Sequence, residues 1–258
     1  MMSKHEPPRP VGTYRYISPW VPDRREGIIF IYLAIPFPWY FLDEALIGTD
    51  FPGLHLMHCA LDDLIPFNAW FIFPYLSWFL YMAIPGLYFY FHEKPVFEKF
   101  MLTLECGWFV CMFINSVYPN GQTLRPTSYP DNIAGWLVAL IQRADTPTNV
   151  FPSMHIVGAL GVAVALFKSE KLRKKVWLQV CSVLLCITIC LATMFLKQHS
   201  AVDVMGATVV FIATYLFVYH GPASKLLTWL ADHVLKNCDL DTLVAYRDAH
   251  PMKKAKRA

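Results

Sequence analysis

The chain has 258 residues, of which 56% are hydrophobic and only 16% are Asp, Glu, Lys or Arg. Ordinary soluble domains carry about 25% charged residues, and one soluble core of this length could not bury so much apolar surface. The composition therefore excludes intrinsic disorder, a coiled coil and a nucleic-acid-binding module and indicates a polytopic membrane protein, while the formal net charge of +3 adds little.

Six apolar runs reach or approach the roughly 20 residues that cross a bilayer. In chain order they cover residues 27–42, 64–91, 100–118, 152–167, 176–196 and 204–223. The first run is short and contains two prolines, and the fourth run is also short. The sequence predicts an all-α polytopic membrane protein, a six-transmembrane helical bundle.

The loops between these runs predict the orientation of the chain. Lys and Arg are concentrated before the first run and in alternate loops after it, whereas the 43–70 loop has several carboxylates and no Lys or Arg. By the positive-inside rule, both termini lie in the cytosol. We expect a cytosolic segment at 1–26, a membrane domain at 27–223, and a cytosolic amphipathic and basic tail at 224–258. Within this tail, the spacing of apolar residues predicts an amphipathic helix over 226–244.

Polar residues collect at the predicted outer ends of three helices. Arg125-Pro126 follows the third run, Pro152-Ser153-Met154-His155 begins the fourth, and the link from Lys197 to Asp203 joins the fifth and sixth. All three segments lie at the same membrane depth in the predicted topology. This arrangement places the candidate site on the extracytoplasmic or lumenal face.

The residue types at this site suit phosphoryl transfer. His199 and Asp203 are four residues apart and share a helix face, where a carboxylate fixes the tautomer of an imidazole. Ser153 and His155 lie in a first helical turn, whose free N–H groups attract phosphate. Two histidines of this kind can act as a nucleophile and a general acid. Residue types alone also leave a His–His–Asp metal site open.

Two cations complete the candidate site. The guanidinium of Arg125 offers a planar fork for phosphate, and the ammonium of Lys197 offers a point charge. Both are candidate phosphate ligands.

The order of these motifs resembles the type 2 phosphatidic acid phosphatase superfamily, whose pattern is Lys-x6-Arg-Pro, Pro-Ser-Gly-His and Ser-Arg-x5-His-x3-Asp. The Phe-Pro-Ser-x-His form also resembles the inositol-phosphorylceramide synthase branch. The resemblance covers about residues 64–220. It implies that His199 becomes a phosphohistidine, Asp203 orients it, His155 is the general acid, and Arg125 and Ser153 hold phosphate. It implies no metal and no other cofactor.

Three positions depart from the family pattern. Tyr118 stands where the first motif has Lys, Ala192-Thr193 where the third has Ser-Arg, and Met154 where the second has Gly. Two cationic phosphate ligands are therefore missing. Lys197 or Arg143 could replace them, and the sequence leaves this choice open.

The sequence predicts a metal-independent membrane enzyme that hydrolyses a phosphate or pyrophosphate monoester of an amphiphilic lipid. Its expected partners are the lipid substrate and the bilayer, and no nucleic acid. A phosphotransferase that moves a phospho-headgroup to an alcohol is one alternative, and a catalytically degenerate lipid-binding protein is another. The identity of the lipid and the oligomeric state stay open.

Overall fold

The structure is a computed structural model, and it describes residues 24–234. The chain divides into two compact units, one of which is formed by residues 33–221. The described parts of the other unit are residues 24–32, which form most of helix α1 (Arg24–Leu33), and residues 222–234, which include helix α10 (Ala223–Val234).

The unit formed by residues 33–221 contains eight helices and two very short strands among the described residues. They are α2 (Pro36–Leu46), β1 (His55–Leu56), α3 (Ala60–Leu64), α4 (Ile72–His92), α5 (Lys94–Val117), β2 (Asn120–Gly121), α6 (Ile133–Ala144), α7 (Met154–Lys168), α8 (Val176–Phe195) and α9 (Ala201–Tyr219). A 3-10 turn at Ala69–Phe71 leads into α4. The two strands pair in parallel, with His55 opposite Asn120. The predicted all-α class is confirmed.

Four helices of the described chain are long and apolar enough to cross a membrane. They are Ala69–His92, which combines the 3-10 turn with α4, and the helices α5, α8 and α9. These helices correspond to the second, third, fifth and sixth apolar runs of the sequence.

The first and fourth runs form shorter helices than the sequence analysis assumes. Helix α1 ends at Leu33 and α2 begins at Pro36, where a proline without an N–H is tolerated at the start of a helix. Helix α7 has 15 residues, about 22 Å at 1.5 Å per residue, against a hydrocarbon core of about 30 Å. The count of six spans is therefore not confirmed and stays a prediction.

Helix α7 lies at the centre of the helical packing, where it contacts α4, α5, α8 and α9. Its residues Val157, Ala159 and Val162 are fully buried. Helix α5 approaches it closely at Gly107, where an added Cβ would lie 2.5 Å from Cγ1 of Val157. This packing fixes the position of the α7 N-terminus, which carries His155.

The loop after α5 contains a helix that the sequence analysis did not predict. Helix α6 has 12 residues, and the Asn132 side chain caps it by accepting a hydrogen bond from the N–H of Gly135 at 2.9 Å. Its residues Ala134 and Val138 pack in a buried cluster with Ile72 of α4. The loop is thus partly folded against the membrane helices.

The predicted amphipathic helix over 226–244 is described only in part. Helix α10 covers Ala223–Val234, and the rest of the prediction lies outside the described residues. Most of the two predicted cytosolic segments lies outside them as well.

Candidate active site

The two motif histidines are neighbours in the fold. His155 lies in the first turn of α7, and His199 directly precedes Ser200, the N-cap of α9. Their ring centroids are 5.6 Å apart, with an angle of 63° between the ring planes. Both imidazoles can therefore contact one tetrahedral phosphorus centre.

The hydrogen bonds of His199 determine its tautomer. Its Nδ1 lies 2.9 Å from the carbonyl oxygen of Val150 and 3.3 Å from Oδ2 of Asp203. A carbonyl oxygen can only accept, so Nδ1 carries the proton and donates it. The other ring nitrogen, Nε2, then keeps its lone pair. This is the state that a nucleophilic histidine needs.

The carbonyl of Val150 is held in place by Asn120, at the start of β2. The fully buried Asn120 side chain accepts hydrogen bonds from the N–H groups of Val150 at 2.9 Å and Phe151 at 2.8 Å. Its amide nitrogen donates to the carbonyl of Phe151 at 3.2 Å. Asn120 therefore connects the segment after α5 to the residues that precede His155.

Aromatic side chains of α4 surround His155. The rings of Tyr75 and Trp78 each lie 4.8 Å from the imidazole, centroid to centroid. The indole N–H of Trp78 donates to the carbonyl oxygen of His155 at 3.0 Å. These rings shield one part of the half-buried imidazole from water, and this partial loss of water disfavours its protonated form unless a negative charge binds nearby.

Several buried polar atoms near the two histidines have no hydrogen-bond partner among the described residues. They include Oγ of Ser153, Oδ1 of Asp203 and Oδ1 of Asn149. The Ser153 side chain does not cap α7, so it leaves the N–H groups of the first turn free of a side-chain partner. A hydroxyl and these N–H groups suit the binding of phosphate oxygens.

Arg125 binds the C-terminal end of α6. Its Nη1 donates to the carbonyls of Gln142 at 3.0 Å and Asp145 at 2.6 Å, and its Nη2 donates to the carbonyl of Thr146 at 3.0 Å. Burial lowers the pKa of Arg125, and the charge of Asp145, whose carboxylate is 3.6 Å away, opposes this shift. Both terminal nitrogens thus already have partners in the protein.

Lys197 also donates to main-chain carbonyls. Its ammonium lies 2.8 Å from the carbonyl of Asp62 and 2.6 Å from that of Ile65. The other candidate, Arg143, is exposed in the last turn of α6. The replacement of the missing phosphate ligands by Lys197 or Arg143 therefore stays a prediction.

Two carboxylates lie on the same side of the protein as Arg125. Glu44 accepts hydrogen bonds from Thr146 Oγ1 at 2.6 Å and from Asn149 Nδ2 at 3.1 Å. Asp145 accepts one from the Tyr40 hydroxyl at 2.5 Å. Burial raises the pKa of Asp145, although the Tyr40 hydrogen bond and nearby positive charges oppose the shift. These carboxylates add negative charge near the candidate site.

The sequence motifs predict the two histidines, Ser153 and Asp203 as site residues, and the fold brings them together. The carbonyl of Val150 could not be predicted, because a main-chain atom has no signature in the sequence. Asn120 and the α4 aromatics also carried no motif. Within residues 24–234, no group of three or more His, Cys, Asp or Glu side chains has the arrangement of a metal site.

Comparison with known proteins supports one family. No curated protein and no solved structure matches the chain. The family model of the PAP2 superfamily matches residues 100–226, a segment that contains Arg125, the Pro152–His155 motif, His199 and Asp203. Members of this superfamily are phosphatases or related phosphotransferases. The chain therefore belongs to the type 2 phosphatidic acid phosphatase (PAP2) superfamily.

Proposed function

We propose that this protein is an integral membrane lipid phosphatase that transfers the phosphoryl group of an amphiphilic phosphate or pyrophosphate monoester first to His199 and then to water. The observation that carries the proposal is the state of His199. Its Nδ1 proton is held by the Val150 carbonyl and by Asp203, so that Nε2 is left with a lone pair beside His155.

In the first half-reaction, Nε2 of His199 attacks phosphorus and forms an N–P bond while the bond from phosphorus to the lipid oxygen breaks. The leaving oxygen takes a proton from the imidazolium of His155. Since two aromatic rings pack against His155, it gains this proton together with the negatively charged substrate. Asp203 stabilises the positive charge that develops on the His199 ring, and the α7 N-terminus with Ser153 binds the phosphoryl oxygens.

In the second half-reaction, water attacks the phosphorus of the phosphohistidine. The now neutral His155 takes a proton from this water, the N–P bond breaks, and its electron pair returns to Nε2 of His199. Inorganic phosphate leaves, and both histidines regain their starting states. The same group acts as an acid and then as a base, as expected for a double displacement.

The proposal includes the topology predicted from the loops. Six membrane segments, with the short helix α7 as the fourth, would place both termini in the cytosol and the histidine pair on the extracytoplasmic or lumenal face. The four helices of spanning length support a membrane location. Labelling of single cysteines introduced at exposed loop positions, in sealed cells, tests the orientation.

The activity test uses the full chain, purified in detergent, with dioctanoyl phosphatidic acid and a short-chain prenyl pyrophosphate as probes. Release of inorganic phosphate is measured for the wild type and for His199→Ala and His155→Ala. We expect His199→Ala to lose the covalent pathway, and His155→Ala to lose about 10²- to 10⁴-fold in kcat, the usual contribution of general acid–base catalysis. The exposed His58 gives a matched control, His58→Ala, with unchanged activity. Full activity in His199→Ala would overturn the proposal.

A second candidate function, a lipid phosphotransferase, is favoured by the charges near the site. Arg125 and Lys197 donate to main-chain carbonyls, whereas Glu44 and Asp145 add negative charge. A phosphodiester donor carries less negative charge than a phosphomonoester dianion, so it depends less on cationic ligands. The same His199 would then carry a phospho-headgroup and pass it to an alcohol.

Mass spectrometry of the products separates these functions. Incubation with a phospholipid donor and an alcohol acceptor gives a new phospholipid if the protein is a transferase, and only free phosphate or a free phospho-headgroup if water is the acceptor. A catalytically degenerate lipid-binding protein would give neither product. It would also fail to bind vanadate, which mimics five-coordinate phosphorus.

A further inference from the structure

A buried carboxylate in the loop before α4 contacts the segment that carries His199. Asp62 belongs to the short helix α3, and it is only 3% exposed although its neighbour Asp63 is exposed. Its Oδ2 accepts a hydrogen bond from Oγ of Ser200 at 2.5 Å, and its Oδ1 accepts one from the N–H of Ala201 at 2.8 Å. Asp62 therefore binds the two residues that directly follow His199.

The same loop also binds residues that precede His199 in the chain. Lys197 has a left-handed backbone with φ of 56°, a conformation that is costly for a residue with a side chain. Its ammonium donates to the carbonyls of Asp62 and Ile65. Slightly further along the loop, the N–H of Asn68 donates to the carbonyl of Phe195 at 2.9 Å. Hydrogen bonds to one loop thus hold the chain both before and after His199.

The charge of Asp62 fits its position at the N-terminus of α9, where the helix dipole favours a negative group. Burial acts to raise the pKa of Asp62, but hydrogen bonds from Ser200, Ala201 and Cys59 outweigh it and hold the pKa below its usual range. The carboxylate is therefore ionised at neutral pH, and its hydrogen bonds are charge-assisted and strong.

Ser200 connects Asp62 to the catalytic pair. The Ser200 hydroxyl donates to Asp62, while the N–H of the same residue donates to Oδ2 of Asp203 at 2.8 Å. Oδ2 of Asp203 in turn lies 3.3 Å from Nδ1 of His199. A displacement of Ser200 would therefore shift Asp203, and with it the ring that Asp203 orients.

We propose that Asp62 is a positioning residue for His199, and that it acts through Ser200 and Ala201 without touching the substrate. The loop before α4 is then a part of the active-site framework. The inference rests on the proposed function of His199, but one of its tests needs no turnover.

The first test is kinetic and compares Asp62→Asn with the matched variant Asp63→Asn, whose exposed carboxylate pairs only with His58 among the described contacts. With dioctanoyl phosphatidic acid as the probe, we expect Asp62→Asn to lower kcat about tenfold or more, the effect of one charge-assisted hydrogen bond. KM should change by less than about twofold, because the residue does not bind substrate. Asp62→Glu should recover part of the loss, and Asp63→Asn should match the wild type.

The second test measures how fast diethyl pyrocarbonate modifies each histidine in the full chain, by mass spectrometry of the peptides. Loss of the Asp62 contacts should raise the population in which the His199 segment is open, so the modification rate of His199 should increase about tenfold. His155 lies on α7 and shares no hydrogen bond with Asp62 among the described contacts, so its rate in the same sample should stay constant. General loosening of the protein would raise both rates together.

These outcomes decide the proposal. An unchanged kcat in Asp62→Asn, an unchanged His199 modification rate, or a parallel rise at His155 would overturn it. If Asp62→Asn does not fold, Ser200→Ala removes the Ser200–Asp62 hydrogen bond together with the N-cap of α9 and keeps the Ala201 contact. It should also raise the modification rate of His199 without raising that of His155. A wild type that turns over no lipid would refute the proposed function, whereas a His199-selective change in modification would still support the position of Asp62.

Discussion

Replacement of Asp203 by Asn tests how the fold prepares His199. The wild-type Nδ1–H has two acceptors, the Val150 carbonyl at 2.9 Å and the Asp203 carboxylate at 3.3 Å. In Asp203→Asn, the carbonyl of Val150 is still present and still requires a proton on Nδ1. The tautomer with a free Nε2 therefore survives, and the variant loses mainly the negative charge behind the ring.

Because the Val150 carbonyl sets the tautomer and Asp203 supplies only the charge, the expected loss of kcat in Asp203→Asn is limited. A hydrogen bond to a charged group contributes about 1.5–3 kcal/mol, which corresponds to about 10- to 150-fold in kcat. In a catalytic triad whose carboxylate alone selects the tautomer, the same change costs about 10⁴-fold. A tautomer set by the Val150 carbonyl and a tautomer set by Asp203 alone thus predict losses of kcat that differ by about two orders of magnitude.

The assay measures the initial rate of phosphate release from dioctanoyl phosphatidic acid in detergent micelles, with His199→Ala as the background. Asp131→Asn, at an exposed position in the loop before α6, is the control for loss of a carboxylate and should match the wild type. A loss of about 10⁴-fold in Asp203→Asn would refute the role given to the Val150 carbonyl. A rate equal to the wild type would refute the role given to Asp203.

Three further predictions concern stability, and each is measured by thermal unfolding of the full chain in detergent. Arg125→Lys should lower the apparent Tm, because an ammonium cannot reproduce the guanidinium contacts with three carbonyls, and an unchanged Tm would contradict this structural role. Gly107→Ala should cost about 1–3 kcal/mol, since the new Cβ would lie 2.5 Å from Val157 Cγ1; a neutral effect would mean that α5 and α7 can separate freely. Because its hydrogen bonds hold the pKa of Asp62 below the unfolded value of about 4, its contribution to stability is complete above that pH and is lost as the pH falls further. The apparent Tm of Asp62→Asn should therefore depend less on pH between about 5 and 3 than that of the wild type, and parallel curves would contradict the assignment.

The features that could be predicted from the sequence are those with a local pattern. Long apolar runs predicted α4, α5, α8 and α9, because bilayer thickness sets the length of such runs. The spacing of His199 and Asp203 predicted their contact, although His199 precedes the N-cap of α9 and does not lie on the helix face that the prediction assumed. The order of the motifs predicted the superfamily.

The features that could not be predicted depend on contacts between distant segments. The tautomer of His199 is set by a main-chain carbonyl, which Asn120 holds from 30 residues away in the sequence. Asp62 reaches Ser200 across 138 residues, and in the sequence it is one of several carboxylates of the 43–70 loop. Helix α6 was missed because its apolar pattern is short and lies within a loop rich in turn residues.

The central claim is that His199 becomes covalently phosphorylated. The most direct measurement is an alkaline quench of the purified protein during turnover of dioctanoyl phosphatidic acid, since phosphohistidine survives in base, followed by mass spectrometry of the peptides. The account predicts one phosphorylated residue, His199, in the wild type and no phosphorylated residue in His199→Ala. Turnover without a phosphohistidine, or with the phosphoryl group on a different residue, would contradict it.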